Sequence, residues 1–184
     1  ESIGKRLAQA AVAAKVDGEI VDLERELPAG EHTFELLTDK SKEALDVLLD
    51  GRSYKATAVS MGNPHLVLFV EEDPDDVDVP LIGPLVEHDE RFPERTNVEF
   101  VAVQGDGVKV RVWERGAGET LACGTGACAA VVAANEAGLV PSKAPARFPG
   151  GLLQIERLPD DEVLLTGPAV RVAEGVLDAR WLEA

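Results

Sequence analysis

Beyond residue 51, the hydrophobic and polar positions follow the pattern of β-strands more often than that of helices. Gln104-Gly105-Asp106-Gly107 is a clear hairpin turn between two of these runs, and Leu158-Pro159-Asp160-Asp161 is a second. A short helix is predicted over residues 82–88, ending before Pro93. The predicted strands cover residues 55–61, 66–70, 97–103, 108–114, 152–157, 162–167 and 169–177.

One long helix interrupts this pattern. It is predicted to start near Cys123 and to run to Glu136, with Gly138 as a natural C-terminal stop. Its side chains are small or apolar all round, so it has no face suited to solvent and must be surrounded. The sequence therefore predicts an α+β fold, in which a strongly curved antiparallel or mixed sheet wraps around a central Ala-rich helix.

The first 50 residues carry a different pattern. A helix is predicted over residues 3–16, and Asp17-Gly18 indicates a hairpin between 13–16 and 19–23. A strand is predicted over 32–37 and a helix over 41–48. The change of pattern at residues 49–52 predicts a boundary, with domains at 1–50 and 51–184.

Composition limits the classes of partner. Hydrophobic residues make up 45% and aromatic residues 4%, so the core must be aliphatic. A formal net charge of −16 argues against binding to nucleic acid or to an anionic membrane. No apolar run approaches the roughly 20 residues of a membrane span, and no signal-peptide pattern is visible. Cys123 and Cys128 are too poorly placed on one helix to bond to each other, so a cytoplasmic location is expected.

The start of the long helix is the segment that carries chemistry. Unpaired backbone N–H groups there stabilise negative charge, which predicts a reactive thiolate at Cys123. The N–H groups of Gly124 and Thr125 are suited to a carboxylate or a phosphate, and Arg115 is suited to another carboxylate. Such a site favours proton transfer at a carbon beside a carboxylate. The alternative is an inert buried cysteine, which is the interpretation that we give to Cys128.

Residues 111–127, RVWERGAGETLACGTGA, resemble the second cysteine signature of the diaminopimelate epimerase family. Residues 60–65 resemble its Gly-Asn-Pro-His loop, residues 83–93 its following helix and residues 96–100 its Asn-containing strand. The resemblance covers residues 54–184, and proline racemases and phenazine-type isomerases match these loops less well. It implies interconversion of LL- and meso-2,6-diaminopimelate by two opposed cysteines, with no cofactor and no metal.

The resemblance also implies roles for individual residues. Cys123 would be one of the two catalytic thiols. The implied substrate-binding residues are Asn63 and Asn97 as hydrogen-bonding groups, His65 for orientation, Glu114 and Arg115 at the distal end, and Gly124 and Thr125 at the reacting carboxylate. Asn63 as a turn former, Asn97 as a strand cap and His65 as a core histidine are the structural alternatives.

The first lobe of that family supplies the other cysteine, and residues 1–53 contain none. Residues 3–48 instead resemble part of the β-grasp (TGS) domain of threonyl-tRNA synthetases. Six Lys or Arg against eleven Asp or Glu over residues 1–48 argue against RNA binding.

Three functions are consistent with these features. The first is an epimerase lobe that acts on a small diamino diacid and is completed by a second copy or by a complementary lobe. The second is a non-catalytic fusion or chimera, natural or engineered. The third is a β-grasp interaction module that carries the lobe as a passenger.

Overall fold

The computed structural model describes residues 13–16, 19–20, 30–37, 42–49 and 52–175, and the side chains of residues 47 and 53–175. Its helices are α1 (Val79–Glu87) and α2 (Gly124–Glu136), and a 3₁₀ turn spans Pro74–Asp76. The strands are β1 (Ala13–Val16), β2 (Glu19–Ile20), β3 (Gly30–Leu37), β4 (Lys42–Leu49), β5 (Arg52–Ser60), β6 (Pro64–Phe69), β7 (Asn97–Gln104), β8 (Gly107–Glu114), β9 (Gly118–Thr120), β10 (Lys143–Phe148), β11 (Gly151–Arg157) and β12 (Val163–Ala169).

The described strands form one mixed sheet in the order β2-β1-β3-β12-β11-β10-β8-β7-β6-β5-β4, with β9 paired to β8. The β6–β7 and β10–β8 pairs are parallel, and the other pairs are antiparallel. The predicted α+β class with a mixed sheet is therefore confirmed. The division into domains at residue 50 is untested and stays a prediction.

Helix α2 packs against β5, β6, β7, β8, β10, β11 and β12. All of its residues from Gly126 to Ala134 are buried, which confirms the prediction of a helix without a broad solvent face. Alanine and glycine side chains let the strands approach the helix closely. The wrapping of the sheet around this helix goes beyond these contacts and stays a prediction.

Helix α1 covers the opposite face of the central strands. Leu66, Leu68 and Phe100 belong to the core cluster on the α1 face, whereas Val67 and Val101 belong to the cluster around α2. The alternation follows the two-residue period of a strand. Because both faces are covered, β6 is buried along almost its whole length.

The predicted helix over 82–88 is confirmed, but it begins earlier, at Val79. The side chain of Asp78 caps the helix by accepting a hydrogen bond of 3.2 Å from the Leu81 N–H. A proline also occupies the first turn, where its missing N–H costs nothing. Neither described helix is long and apolar enough to cross a membrane.

Two helix predictions in the first 50 residues are wrong where the structure describes them. Residues 42–49 form strand β4, which pairs antiparallel with β5 along its full length. Residues 13–16 form β1, as the hairpin prediction required, and the rest of the predicted helix over 3–16 lies outside the described residues. Pairing with neighbouring strands outweighed local helix propensity in both places.

The other strand predictions fare better. Those in β3, β5, β6, β7, β8, β11 and the first part of β12 are confirmed within a few residues. A strand over 169–177 is wrong for residues 170–175, because β12 ends at Ala169. Strands β9 and β10 were not predicted: β9 has three residues, and Pro145 interrupts the pattern of β10.

Gly83 tests the packing of α1 on the sheet. A Cβ at this position would lie 2.5 Å from Cγ and 2.8 Å from Cβ of Trp113. We expect Gly83→Ala to lower the free energy of unfolding by about 1–3 kcal/mol through overpacking, although alanine favours a helix. Urea titration measures the change. Leu85→Ala, at a residue 63% exposed on the same helix, is the control and should change it by less than about 0.5 kcal/mol. An unchanged stability for Gly83→Ala would contradict this packing.

Candidate active site

Cys123 is the N-cap residue of α2, and Gly124 is the first helical residue. The Cys123 Sγ accepts a hydrogen bond of 3.4 Å from the Gly126 N–H and lies 3.5 Å from the Thr125 Oγ1. The residue is 9% exposed, so the thiol lies just beneath the surface. The amides of Gly124 and Thr125 occupy helix positions that have no intrahelical acceptor, which suits an anion.

The predicted thiolate is wrong for this environment. Burial is the largest cause that raises the pKa of Cys123 to about 11, and the nearby Glu99 carboxyl group adds to the rise only when it is ionised. Hydrogen bonds from Thr125 and Gly126 lower the pKa, but by less than burial and Glu99 raise it. At neutral pH, Cys123 is therefore a thiol and a proton donor. Burial raises the pKa of Cys128 still further, which agrees with a packing role.

A chain of hydrogen bonds runs from Cys123 into the sheet. Asn63 Nδ2 donates to Thr125 Oγ1 at 3.4 Å, and Asn63 Oδ1 lies 3.0 Å from His65 Nε2. His65 Nδ1 in turn lies 2.6 Å from Glu99 Oε1. His65 and Glu99 are both fully buried. The structure thus brings Asn63, His65 and Thr125 together beside the thiol and adds Glu99, which the sequence interpretation missed.

Asn97 lies next to this chain but serves the backbone. Its Nδ2 donates to the Pro64 carbonyl at 2.9 Å, and its Oδ1 accepts from the Arg115 N–H at 2.9 Å. Both ends of the amide are therefore engaged within the protein. Asn97 thus fixes the start of β6 relative to the loop that carries Arg115.

Glu114 and Arg115 leave the end of β8 in different directions. Glu114 accepts a hydrogen bond from the Thr120 hydroxyl, and its charge acts on Cys123 by raising its pKa. The Arg115 side chain is exposed and donates to the Glu94 carbonyl at 3.1 Å. Glu114 is thus close to the thiol, whereas the Arg115 guanidinium is held at the rim.

Glu87 of α1 holds this loop from behind and was also missed by the sequence interpretation. Its Oε2 accepts from Trp113 Nε1 at 2.7 Å, and its Oε1 accepts from the Gly116 N–H at 2.9 Å. The two bonds bracket Glu114 and Arg115. Burial raises the pKa of Glu87, but the hydrogen bonds from Trp113 and Gly116 and the neighbouring charges outweigh it, so the pKa is lowered. The sequence signal that could have identified Glu87 is its position as an acidic residue at the end of an otherwise apolar helix.

Within the described residues, no group of three or more His, Cys, Asp or Glu side chains could hold a metal ion. The polar groups around Cys123 instead bond to one another and to the backbone. This arrangement suits proton transfer between a thiol and a carbon acid whose carboxylate lies at the start of α2.

The profile of the diaminopimelate epimerase family matches residues 57–172, which include every residue of this site. The chain belongs to the diaminopimelate epimerase family. The diaminopimelate epimerase of Synechococcus elongatus is 53% identical over 143 residues, which are 76% of this chain and 50% of that protein. The enzyme of Methylorubrum extorquens is 54% identical over 123 residues, covering 66% and 42%. The chain spans about half the length of the curated relatives that it matches.

Among solved structures, a phenazine biosynthesis protein of the PhzF family from Enterococcus faecalis aligns with a TM-score of 0.44 and 12% identity. The alignment covers 72% of this chain and 42% of that one. The match to the diaminopimelate epimerase family begins at residue 57 and does not bear on the threonyl-tRNA synthetase resemblance of residues 3–48, which stays a prediction.

The raised pKa of Cys123 predicts a pH profile for its alkylation. Because only the thiolate reacts, the rate with iodoacetamide should rise about tenfold per pH unit from roughly pH 7 to pH 9. Peptide mass spectrometry measures each cysteine separately. Cys128, which is fully buried, should stay unmodified in the folded chain and serves as the internal control. A plateau below about pH 8 would contradict the raised pKa.

Glu87→Gln tests the clamp on the loop. Both carboxylate oxygens accept N–H bonds, and a glutamine offers only one acceptor, so one of these two partly buried hydrogen bonds is lost. We expect a loss of about 1–3 kcal/mol in the free energy of unfolding at neutral pH. The pKa of Glu87 is lowered from 4.5 in the folded state. The extra stability of the wild type is therefore fully present above pH 4.5 and is lost as the pH falls through the pKa of Glu87 in the folded protein.

Urea titrations at several pH values measure this difference. Glu90→Gln, at an exposed position nearby, is the matched control and should change stability little. A difference between wild type and Glu87→Gln that does not shrink in acid would argue against the carboxylate clamp.

Proposed function

We propose that this chain is the lobe of a diaminopimelate epimerase that carries one of its two catalytic thiols. The substrate is 2,6-diaminopimelate, and the reaction is a proton transfer at one α-carbon without a cofactor, in cytoplasmic lysine biosynthesis. One observation carries the proposal: the Cys123 thiol caps the buried helix α2 beside a hydrogen-bond chain built from Asn63 and His65. The predicted wrapping of the sheet around α2 is part of the proposal.

In this proposal Cys123 acts as an acid in one direction and as a base in the other. The thiol donates its proton to the planar α-carbanion from one face, and the resulting thiolate accepts the Gly126 N–H at 3.4 Å. In the reverse direction the thiolate removes the α-proton. The amides of Gly124 and Thr125 bind the reacting carboxylate and stabilise the charge that develops on it. A pKa above neutrality suits the donor role at the start of the turnover.

The remaining predicted residues hold the substrate. Asn63 and His65 orient the reacting end, and Glu114 and Arg115 bind the distal ammonium and carboxylate. Asn97 contributes through the backbone N–H of Arg115, to which it is bonded at 2.9 Å, and not through a free amide group. Two opposite charges at the distal end match a diamino diacid, because each amino-acid end of that molecule carries both charges.

Inversion needs a second thiol on the opposite face of the α-carbon. Cys128 lies inside α2 and is fully buried, so it does not serve. We propose that the opposing cysteine comes from a complementary lobe of about the same size, since the curated relatives are about twice as long as the matched part of this chain.

Isotope exchange tests the proposal with the chain as it is. In D₂O, folded chain at stoichiometric concentration should replace the α-proton of diaminopimelate by deuterium on one face, with retention of configuration. Proton NMR follows the loss of the α-proton, and chiral chromatography reports the configuration. Cys123→Ala should slow exchange by about a hundredfold or more.

Cys128→Ala is the matched control, because it makes the same chemical change five residues further along the chain, inside α2, and should exchange at the wild-type rate. Exchange that survives Cys123→Ala would refute the proposal. A folded wild-type chain without any exchange would refute it as well.

A further inference from the structure

Glu99 is a buried carboxyl group that the proposed chemistry does not use. It lies on β7, is fully buried, and faces the N-terminus of α2. Its Oε1 contacts His65, but within the described part of the chain its Oε2, also buried, has no hydrogen-bond partner. An ionised carboxylate with an unsolvated oxygen is costly in a protein interior, so this arrangement calls for an explanation.

The direction of the hydrogen bonds near Cys123 can be deduced from donor and acceptor chemistry. Asn63 Oδ1 can only accept, so His65 Nε2, at 3.0 Å, must carry a proton. Asn63 Nδ2 can only donate, so Thr125 Oγ1 accepts at 3.4 Å. The Thr125 hydroxyl proton is then free to point at the Cys123 Sγ, 3.5 Å away. Every donor in the chain therefore points toward the sulfur.

The other end of the chain fixes this direction. With a proton on Nε2, a neutral imidazole has an unprotonated Nδ1, which accepts a hydrogen bond. Glu99 Oε1 lies 2.6 Å from that nitrogen and can donate only as a carboxylic acid. Burial raises the pKa of Glu99 by more than the contact with His65 lowers it, and the orphan Oε2 is tolerated more easily as the carbonyl oxygen of a neutral acid. His65, Glu114 and Cys123 are the titratable groups that act on it.

Gly126 brings the carboxyl group and the thiol to the same place. A Cβ at this position would lie 2.8 Å from Glu99 Oε1 and 3.3 Å from Cys123 Sγ. At this range an ionised Glu99 would oppose a thiolate by charge repulsion, whereas a neutral acid would not. The close approach is therefore compatible with thiol chemistry only when Glu99 keeps its proton.

We infer that Glu99 is a positioning residue that acts as a carboxylic acid: it holds His65 in the Nε2–H tautomer and so directs a chain of donors at Cys123. This inference rests on the proposed function of Cys123. Without the acid, His65 can move its proton to Nδ1, the Asn63 amide turns over, and the Thr125 hydroxyl donates to Asn63 instead of the sulfur. The thiolate would then lose one donor.

Two substitutions at Glu99 separate its hydrogen bond from its charge. Glu99→Gln keeps a neutral donor for Nδ1 and should leave the iodoacetamide rate at Cys123 within about twofold of wild type. Glu99→Met, of similar volume, removes the donor and should slow alkylation about tenfold at a fixed pH below the thiol pKa. If Glu99 acts as a carboxylate, both substitutions remove a negative charge and both should speed alkylation, which would overturn the inference.

A double-mutant cycle tests whether the effect travels along the chain. Thr125→Val removes the last hydroxyl and should slow alkylation by a similar factor, whereas Thr125→Ser should not. In the Thr125→Val background, Glu99→Met should have no further effect. Additive effects would overturn the inference. Protection of Cys128 from alkylation reports that each variant is folded, and Thr125→Val alone gives the answer if Glu99→Met does not fold.

Nitrogen-15 NMR of the His65 ring gives a readout that a merely structural role would not move. We expect a protonated Nε2 and an unprotonated Nδ1 in wild type and in Glu99→Gln at neutral pH. An imidazolium with both nitrogens protonated would overturn the inference. Neither alkylation nor this spectrum requires substrate, so both test Glu99 separately from the proposed function. If both Glu99 variants are alkylated at equal rates while Cys123 still supports exchange of the substrate α-proton, the role of Glu99 is refuted and the proposed function stands.

Discussion

The burial of helix α2 is the constraint on which the rest of the structure depends. A helix of alanine, glycine and valine has no polar face, so strands must cover it on several sides, and its small side chains let them come close. That close approach places the N-terminus of α2 against the ends of β6 and β7. Cys123 therefore meets side chains from strands that are distant in sequence.

Burial also decides the chemistry of the site, because removal from water favours the neutral form of each acidic group and opposes the effect of the helix start on the thiol. The start of a helix favours a thiolate, but removal from water raises the pKa of Cys123 to about 11 and prevails. The same burial favours a neutral carboxyl at Glu99. Cys123 is therefore a thiol at neutral pH, and with Glu99 as the neutral acid that we infer, the direction of the hydrogen bonds acts on the sulfur more than net charge does.

The sequence predicted the fold best where several signals agreed. The β7–β8 hairpin was predicted within a residue, because strand pattern and turn residues pointed to the same structure. The helix prediction over residues 42–49 was wrong because Lys, Glu, Ala and Leu favour a helix locally, whereas antiparallel pairing with β5, which is separated from β4 by only two residues, outweighed that preference. The motif around Cys123 identified the site. The motif did not reveal Glu99 or Glu87, since only the folded chain shows that these acidic residues are buried and which groups they contact.

The parallel pairing of β6 with β7 has a consequence for how this lobe tolerates change. It sets Val67 opposite Glu99 and His65 opposite Asn97. Sliding β7 by a single residue would turn Glu99 toward the α1 side and bring a valine or phenylalanine to face the sulfur. An insertion in the crossover between the two strands should therefore disturb the site far less than a deletion inside either strand. The site constrains the length of β7 more tightly than the composition of the loop that precedes it.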